Sequence, residues 1–137
     1  MKIQLSIKDL VGAILDRIRV TGIACYDVVP ENEVPPYCYV QVMRTYPDDT
    51  KTMYCKGYDV WIHVFADEHA DSHVPIYSYI EAIEEAMTED ISLPEPFYLV
   101  TQIDTGLQTI QEEETGSSHA IVGFTFKISY GYKVKNF

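Results

Sequence analysis

The sequence predicts an α+β fold: a mostly antiparallel sheet of four to five strands with two helices on one face. The order is α-β-β-β-α-β-β, ending in a long hairpin. Three observations predict it. Two stretches repeat apolar residues at helical spacing, the run Ala120–Val134 alternates apolar and polar residues, and breaks rich in proline or acidic residues separate these runs. At 137 residues the chain fits one domain, residues 1–137. A chain of this length buries roughly two-thirds of its unfolded surface, so it needs no metal or disulfide staple.

The first helix is expected over Ile7 to Val20. Ile7, Leu10, Val11, Ile14, Leu15 and Ile18 share one face, Ser6 with Asp9 forms a capping pair, and Gly22 supplies a stop. Ile23 to Val29 reads as a short strand closed by Pro30. The following segment through Pro36 is a loop, because its prolines cannot donate to a ladder. Tyr37 to Tyr46 is a second strand, rich in aromatic and β-branched residues, and Pro47-Asp48-Asp49-Thr50 is a turn. Met53 to Ala66 is a third strand. Its stretch from Val60 to Phe65 is largely apolar on both faces, which predicts a central position.

Asp67 to Ser72 is a polar connection. Pro75 to Glu89 is the second helix, with Ile76, Tyr79 or Ile80, Ile83 and Met87 inward and an acidic face of Glu81, Glu84 and Glu85 outward. Phe97 to Gln111 and Ala120 to Val134 form the hairpin. Val122, Phe124, Phe126 and Ile128 point to one side of the last strand; Gly123, Thr125, Lys127 and Ser129 point to the other. Fifteen residues of strand reach roughly 50 Å, against a radius of gyration of about 14 Å for a domain this size. The hairpin must therefore bend, at Gly106, Gly123 or Gly131, or project as an arm.

Charge narrows the function. The net charge is −11, and Gly57 to Phe126 holds 14 of the 21 acidic residues and no Lys or Arg. Such a surface disfavours non-specific binding to nucleic acid and to anionic membranes. No run of about 18 apolar residues is present to span a bilayer, and the first residues carry no secretory signal pattern. Cys25, Cys38 and Cys55 are odd in number and include no C-x-x-C, so they read as buried thiols of a reducing compartment.

Motifs for catalysis are sparse. His69 and His73 are four residues apart beside Asp71, a weak metal-ligand pattern, but the segment reads as a loop and no H-E-x-x-H is present. His63 alternates with Trp61 and Phe65, as a hydrogen-bonded half-buried histidine would, and His119 has no evident partner. No nucleophile elbow and no phosphate-cradling glycine loop occur. Asp48-Asp49 and Glu112-Glu113-Glu114 are contiguous. Successive strand residues face opposite sides, so these pairs read as solvated tips rather than paired catalytic carboxylates. Eleven tyrosines suit contact surfaces. Candidate partner-interface residues are Asp48, Asp49, Lys51, Glu112, Glu113, Glu114, Tyr130 and Tyr132.

Several stretches in order resemble a known family. Tyr26-Asp27-Val28-Val29-Pro30 is followed by Pro36-Tyr37-Cys38-Tyr39-Val40, then by Tyr58-Asp59-Val60-Trp61-Ile62-His63-Val64-Phe65-Ala66, and finally by Ser118-His119-Ala120-Ile121-Val122-Gly123-Phe124-Thr125-Phe126-Lys127-Ile128. This order is similar to the phage tail-terminator or tail-completion family of long-tailed phages and prophages. The acidic second helix and the loop Glu112 to Ser118 depart from the family pattern. The resemblance implies a structural protein that is not an enzyme and uses no cofactor. It implies self-association into a ring, generally a hexamer, with the tail tube protein and a head-completion or connector protein as partners. DNA would be cargo passing through the lumen. The expected location is the host cytoplasm during assembly and then the virion tail. Three other readings stay open: another virion neck or adaptor protein, an unrelated acidic protein-binding module, and a metal-dependent enzyme built on His69, His73 and Asp71.

Overall fold

A computed structural model describes residues 3–67, 74–112 and 117–133. The elements are α1 (Ile7–Arg19), β1 (Ala24–Tyr26), β2 (Tyr37–Pro47), β3 (Met53–Asp67), α2 (Val74–Ala86), β4 (Tyr98–Glu112) and β5 (Ser117–Tyr132). They form one sheet of five strands in the order β1-β2-β3-β5-β4. The expected element order and the central place of β3 are both present. All pairings are antiparallel except β1 with β2, which is parallel.

Helix α1 begins where the sequence places it. The Ser6 hydroxyl accepts from the Asp9 backbone N–H at 3.1 Å, Asp9 lies in the first turn, and Arg17 and Arg19 lie in the last. That charge order suits the helix dipole. Leu10, Ile14 and Ile18 have no exposed surface. Gly22 follows the helix at φ +85°, a conformation that costs glycine little.

The sheet sorts residues by parity. On β3, Tyr58, Val60, Ile62, Val64 and Ala66 are buried; on β5, Ala120, Val122, Phe124, Phe126 and Ile128 are. These side chains join Leu10, Ile14 and Ile18 of α1 and Ile76, Ile80 and Ile83 of α2 in one core cluster. Full burial of each such Leu, Ile or Phe contributes roughly 2 to 3 kcal/mol before conformational entropy is charged. The helices also touch each other through a polar link. Arg17 Nε donates to the Ala86 carbonyl at 2.7 Å, and its guanidinium stands 3.6 Å from Glu89. A cation at the C-terminus of α2 satisfies a carbonyl that the helix leaves open.

Strand and helix ends differ from the sequence reading in places. β1 spans three residues rather than Ile23 to Val29, because only Ala24 to Tyr26 find partners on β2 and Val28 is 80% exposed. β5 starts at Ser117, ahead of the expected Ala120, because Asp67 and Ala66 extend β3 far enough to pair with Ser117 and Ser118. α2 ends at Ala86 rather than Glu89. Met87 and Glu89 turn their carbonyls toward Gln102 of β4 instead of continuing the helix.

The hairpin does not stand apart as an arm. β3 accompanies β5 from Met53, opposite Tyr132, to Asp67, opposite Ser117. The length is absorbed by register shifts at Tyr54/Cys55, Leu99/Thr101, Asp104/Gly106 and Leu107/Thr109. Gly106 sits at φ +95°, and its N–H donates to the Asp104 carboxylate at 2.7 Å, which secures one of these bulges.

Gln102 ties the hairpin to the segment after α2. Its amide N–H groups donate to the Met87 and Glu89 carbonyls at 2.9 Å each, and its oxygen accepts from the Ile91 N–H at 3.0 Å. Gln102→Ala leaves three backbone groups without this partner and is expected to cost about 2 kcal/mol. Gln102→Glu should cost more at neutral pH, since a carboxylate would then face two carbonyls. Urea unfolding at unchanged slope checks both.

Candidate functional site

The candidate residues from the sequence fall into two groups at opposite ends of the sheet. Pro47 to Met53 connects β2 to β3 at one end. There the Asp48 N–H donates to the Cys55 carbonyl at 3.0 Å, and the Asp49 carboxylate accepts from the Cys55 N–H at 2.8 Å. Met53 pairs with Tyr132, and the Lys133 N–H donates to the Thr52 carbonyl at 2.8 Å. The end of β5 therefore lies against this turn. Lys127 reaches Asp48 at 3.6 Å and Lys133 reaches Asp49 at 3.7 Å. The two aspartates are thus fastened to the sheet by lysines, rather than standing as unattached tips.

Tyrosines cluster at the same end. Tyr54 and Tyr130 stack at 5.9 Å between ring centroids, and the Lys133 ammonium lies 5.7 Å from the Tyr54 ring. Tyr132 is 69% exposed and Lys51 is exposed. Pro96, Phe97 and Tyr98 line an open groove with Tyr130 and Tyr132. Asp48, Asp49, Lys51, Tyr130 and Tyr132 are therefore brought together by the fold.

Glu112 lies at the other end, where it pairs with Ser118 next to the pairing of Asp67 with Ser117. Glu113 and Glu114 lie outside the described residues, as do His69, His73 and Asp71. A strand of this length separates the two ends by roughly 45 to 50 Å. Among the described residues no group of three His, Cys, Asp or Glu side chains is arranged to hold a metal ion.

The face of the sheet away from the helices carries an aromatic ladder. Tyr37 stacks on Phe65 at 4.8 Å, Phe65 on His119 at 4.2 Å, and Tyr39 on His63 at 4.3 Å. His63 Nδ1 and His119 Nε2 are 2.9 Å apart, and His63 Nε2 is 2.7 Å from the Gln41 amide oxygen. His119 therefore has a partner, on a strand 56 residues away, which local sequence could not reveal. Toward the turn end the ladder gives way to charge. Asp59 accepts from Arg44 and from Thr125 at 2.9 Å. Burial works against the Asp59 charge, but these hydrogen bonds and the guanidinium outweigh it and hold the carboxyl below its usual range.

Two glycines let the outer strands lie close over this face. A Cβ at Gly57 would run into the Tyr46 ring, and one at Gly123 would run into Thr105 and Gln108. Small residues at these positions on the middle strands were visible in the sequence, but what they make room for was not.

The cysteines are buried free thiols. Cys25 and Cys38 stand opposite each other in the β1–β2 register, and the Cys38 thiol donates to the Ala24 carbonyl at 3.6 Å.

His63 is 6% exposed. Burial, with the neighbouring His119 adding to it, pushes its pKa from 6.5 down to about 4. The unfolded chain therefore takes up a proton at this residue at a higher pH than the folded chain does. The stability tied to neutral His63 is complete above pH 6.5 and is lost as the pH falls toward 4. The expected loss across that window is about 1 to 3 kcal/mol. Chemical denaturation from pH 7 to pH 4 should show it, with a flatter profile for His63→Gln.

No curated protein matches the chain. A chain from the "Virion of native gene transfer agent (GTA) particle" shares the fold with a TM-score of 0.74 at 18% identity, covering 89% of this chain and 96% of that chain. The family model for phage tail terminators, described as a tail termination protein, matches residues 1–136. The chain therefore belongs to the phage tail termination protein family.

Proposed function

We propose that this protein caps the tail tube as a ring, ends tube polymerisation and offers the surface to which the head joins. Family membership over residues 1–136 carries the reading. The fold supports it physically. A cap between two different assemblies needs two unlike contact surfaces. The sheet has an end of tyrosines and paired lysine and aspartate side chains, and a far end where Glu112 pairs with Ser118.

In this reading the ring is a hexamer of this chain, built by a heterologous contact whose rotation closes. The tail tube protein lies on one side and a head-completion or connector protein on the other. Asp48, Asp49, Lys51, Tyr130 and Tyr132 form one contact patch. Glu112, Glu113 and Glu114 are assigned to the lumen, where they repel DNA phosphates, so that the genome passes without sticking. DNA is cargo, and no covalent chemistry is involved. Assembly takes place in the host cytoplasm before the ring joins the virion. The tube tip supplies the local concentration that favours ring closure.

The test is complementation of a phage or prophage lacking this chain, scored by electron microscopy. Overlong tubes without heads are expected in its absence, and wild-type complementation should restore uniform length. The variant Glu112→Gln, Glu113→Gln, Glu114→Gln should restore tail length but lower the yield of infective particles severalfold. Normal tails in the absence of the chain would overturn the capping role, and full infectivity of the triple variant would remove the loop from the lumen.

A further inference from the structure

We infer that β4 of one copy adds to the uncovered outer edge of β2 in the next copy, so that the sheet continues from subunit to subunit. This deepens the ring reading and rests on it.

The two margins of the sheet are both incomplete. β4 is a 15-residue strand that, among the described residues, pairs on one side only, with β5. Long free edges are usually blunted with lysine, proline or bulges; Tyr98–Glu112 contains bulges but no Lys, Arg or Pro. It instead exposes Ile103 at 52% and Leu107 at 47%. At the opposite margin, β1 pairs with β2 only from Tyr37 to Tyr39. The remainder of β2, from Gln41 to Pro47, is hydrogen-bonded to β3 on its inner side, and no described strand lies along its outer side. That stretch exposes Met43 at 40% and the Arg44 side chain at 69%.

Strand direction selects a second copy as the occupant. β2 is antiparallel to β3, β3 to β5, and β5 to β4. β4 therefore runs opposite to β2. When copies are related by rotation about an axis along the strands, β4 of one meets β2 of the next in antiparallel pairing, the more stable kind. The same operation can repeat around a ring, because the two margins are different surfaces.

The experiment places one cysteine on each margin of the full chain, Met43→Cys with Thr105→Cys, and treats finished particles with a short bismaleimide. The native cysteines are buried. The double variant should give a ladder of cross-linked multimers of this chain, and each single variant should give none. A double variant that enters particles without a ladder, or that cross-links to the tube protein instead, would overturn the interface. As a second measurement, Ile103→Lys with Leu107→Lys should abolish capping and return overlong tails while circular dichroism stays native. If that variant folds and still caps normally, the interface is wrong while the ring reading survives. If the wild-type chain fails to cap tubes, the ring reading itself is wrong.

Discussion

The pairing of β3 with β5 governs the rest of the molecule. It runs from Met53 opposite Tyr132 to Asp67 opposite Ser117, and each residue along it is assigned to one face or the other. A shift of one residue would move Val60, Ile62, Phe124 and Phe126 out of the core and put Trp61, His63 and Thr125 into it. The helices can pack only on the face that presents the first set. The length of the ladder also sets how far apart the two ends of the protein stand. Two of its glycines, Gly57 and Gly123, determine where side chains of the neighbouring strands can lie across the open face.

From this ladder a division of labour follows. The covered face is for stability, and in the proposed reading the ends and margins make the contacts. Where the open face is polar, its groups are paired: Asp59 with Arg44 and Thr125, and His63 with Gln41 and His119. Burial of these groups is tolerable because each has a partner. A protein that ends a polymer does not need to lower a reaction barrier. It needs a rigid frame that holds unlike surfaces at fixed distances, and a long continuous ladder provides such a frame. The acidic stretch from Gly57 to Phe126 adds charge of a sign that disfavours nonspecific binding to nucleic acid.

Much of this was legible before any coordinates. Ser6 with Asp9 marks a helix start by local chemistry, and the alternation from Ala120 onward is a strand signal that needs no partner to be read. The two apolar faces of Val60 to Phe65 pointed correctly to a central strand, although one face is covered by helices and the other by aromatic stacking. Local sequence does not encode register. The partner of His119 is therefore invisible until His63 is placed beside it, and so is the parallel pairing of Cys25 with Cys38. The grouping of Asp48 and Asp49 with Tyr130 and Tyr132, far from Glu112, has the same origin. It depends on which strand ends meet, and 80 residues of intervening chain carry no local sign of it. The short β1 also follows from tertiary context, since Val28 has apolar character but no surface to cover it.

In the proposed reading this chain acts by shape and self-association at the end of a polymer. The most direct measurement is the length distribution of tail tubes polymerising from purified tube protein, followed by electron microscopy after adding this protein at a low molar ratio. A capping protein stops elongation at once and leaves lengths fixed, with a ring of density at the growing end of each tube. Continued growth at the same rate, with no density at the tips, would contradict it.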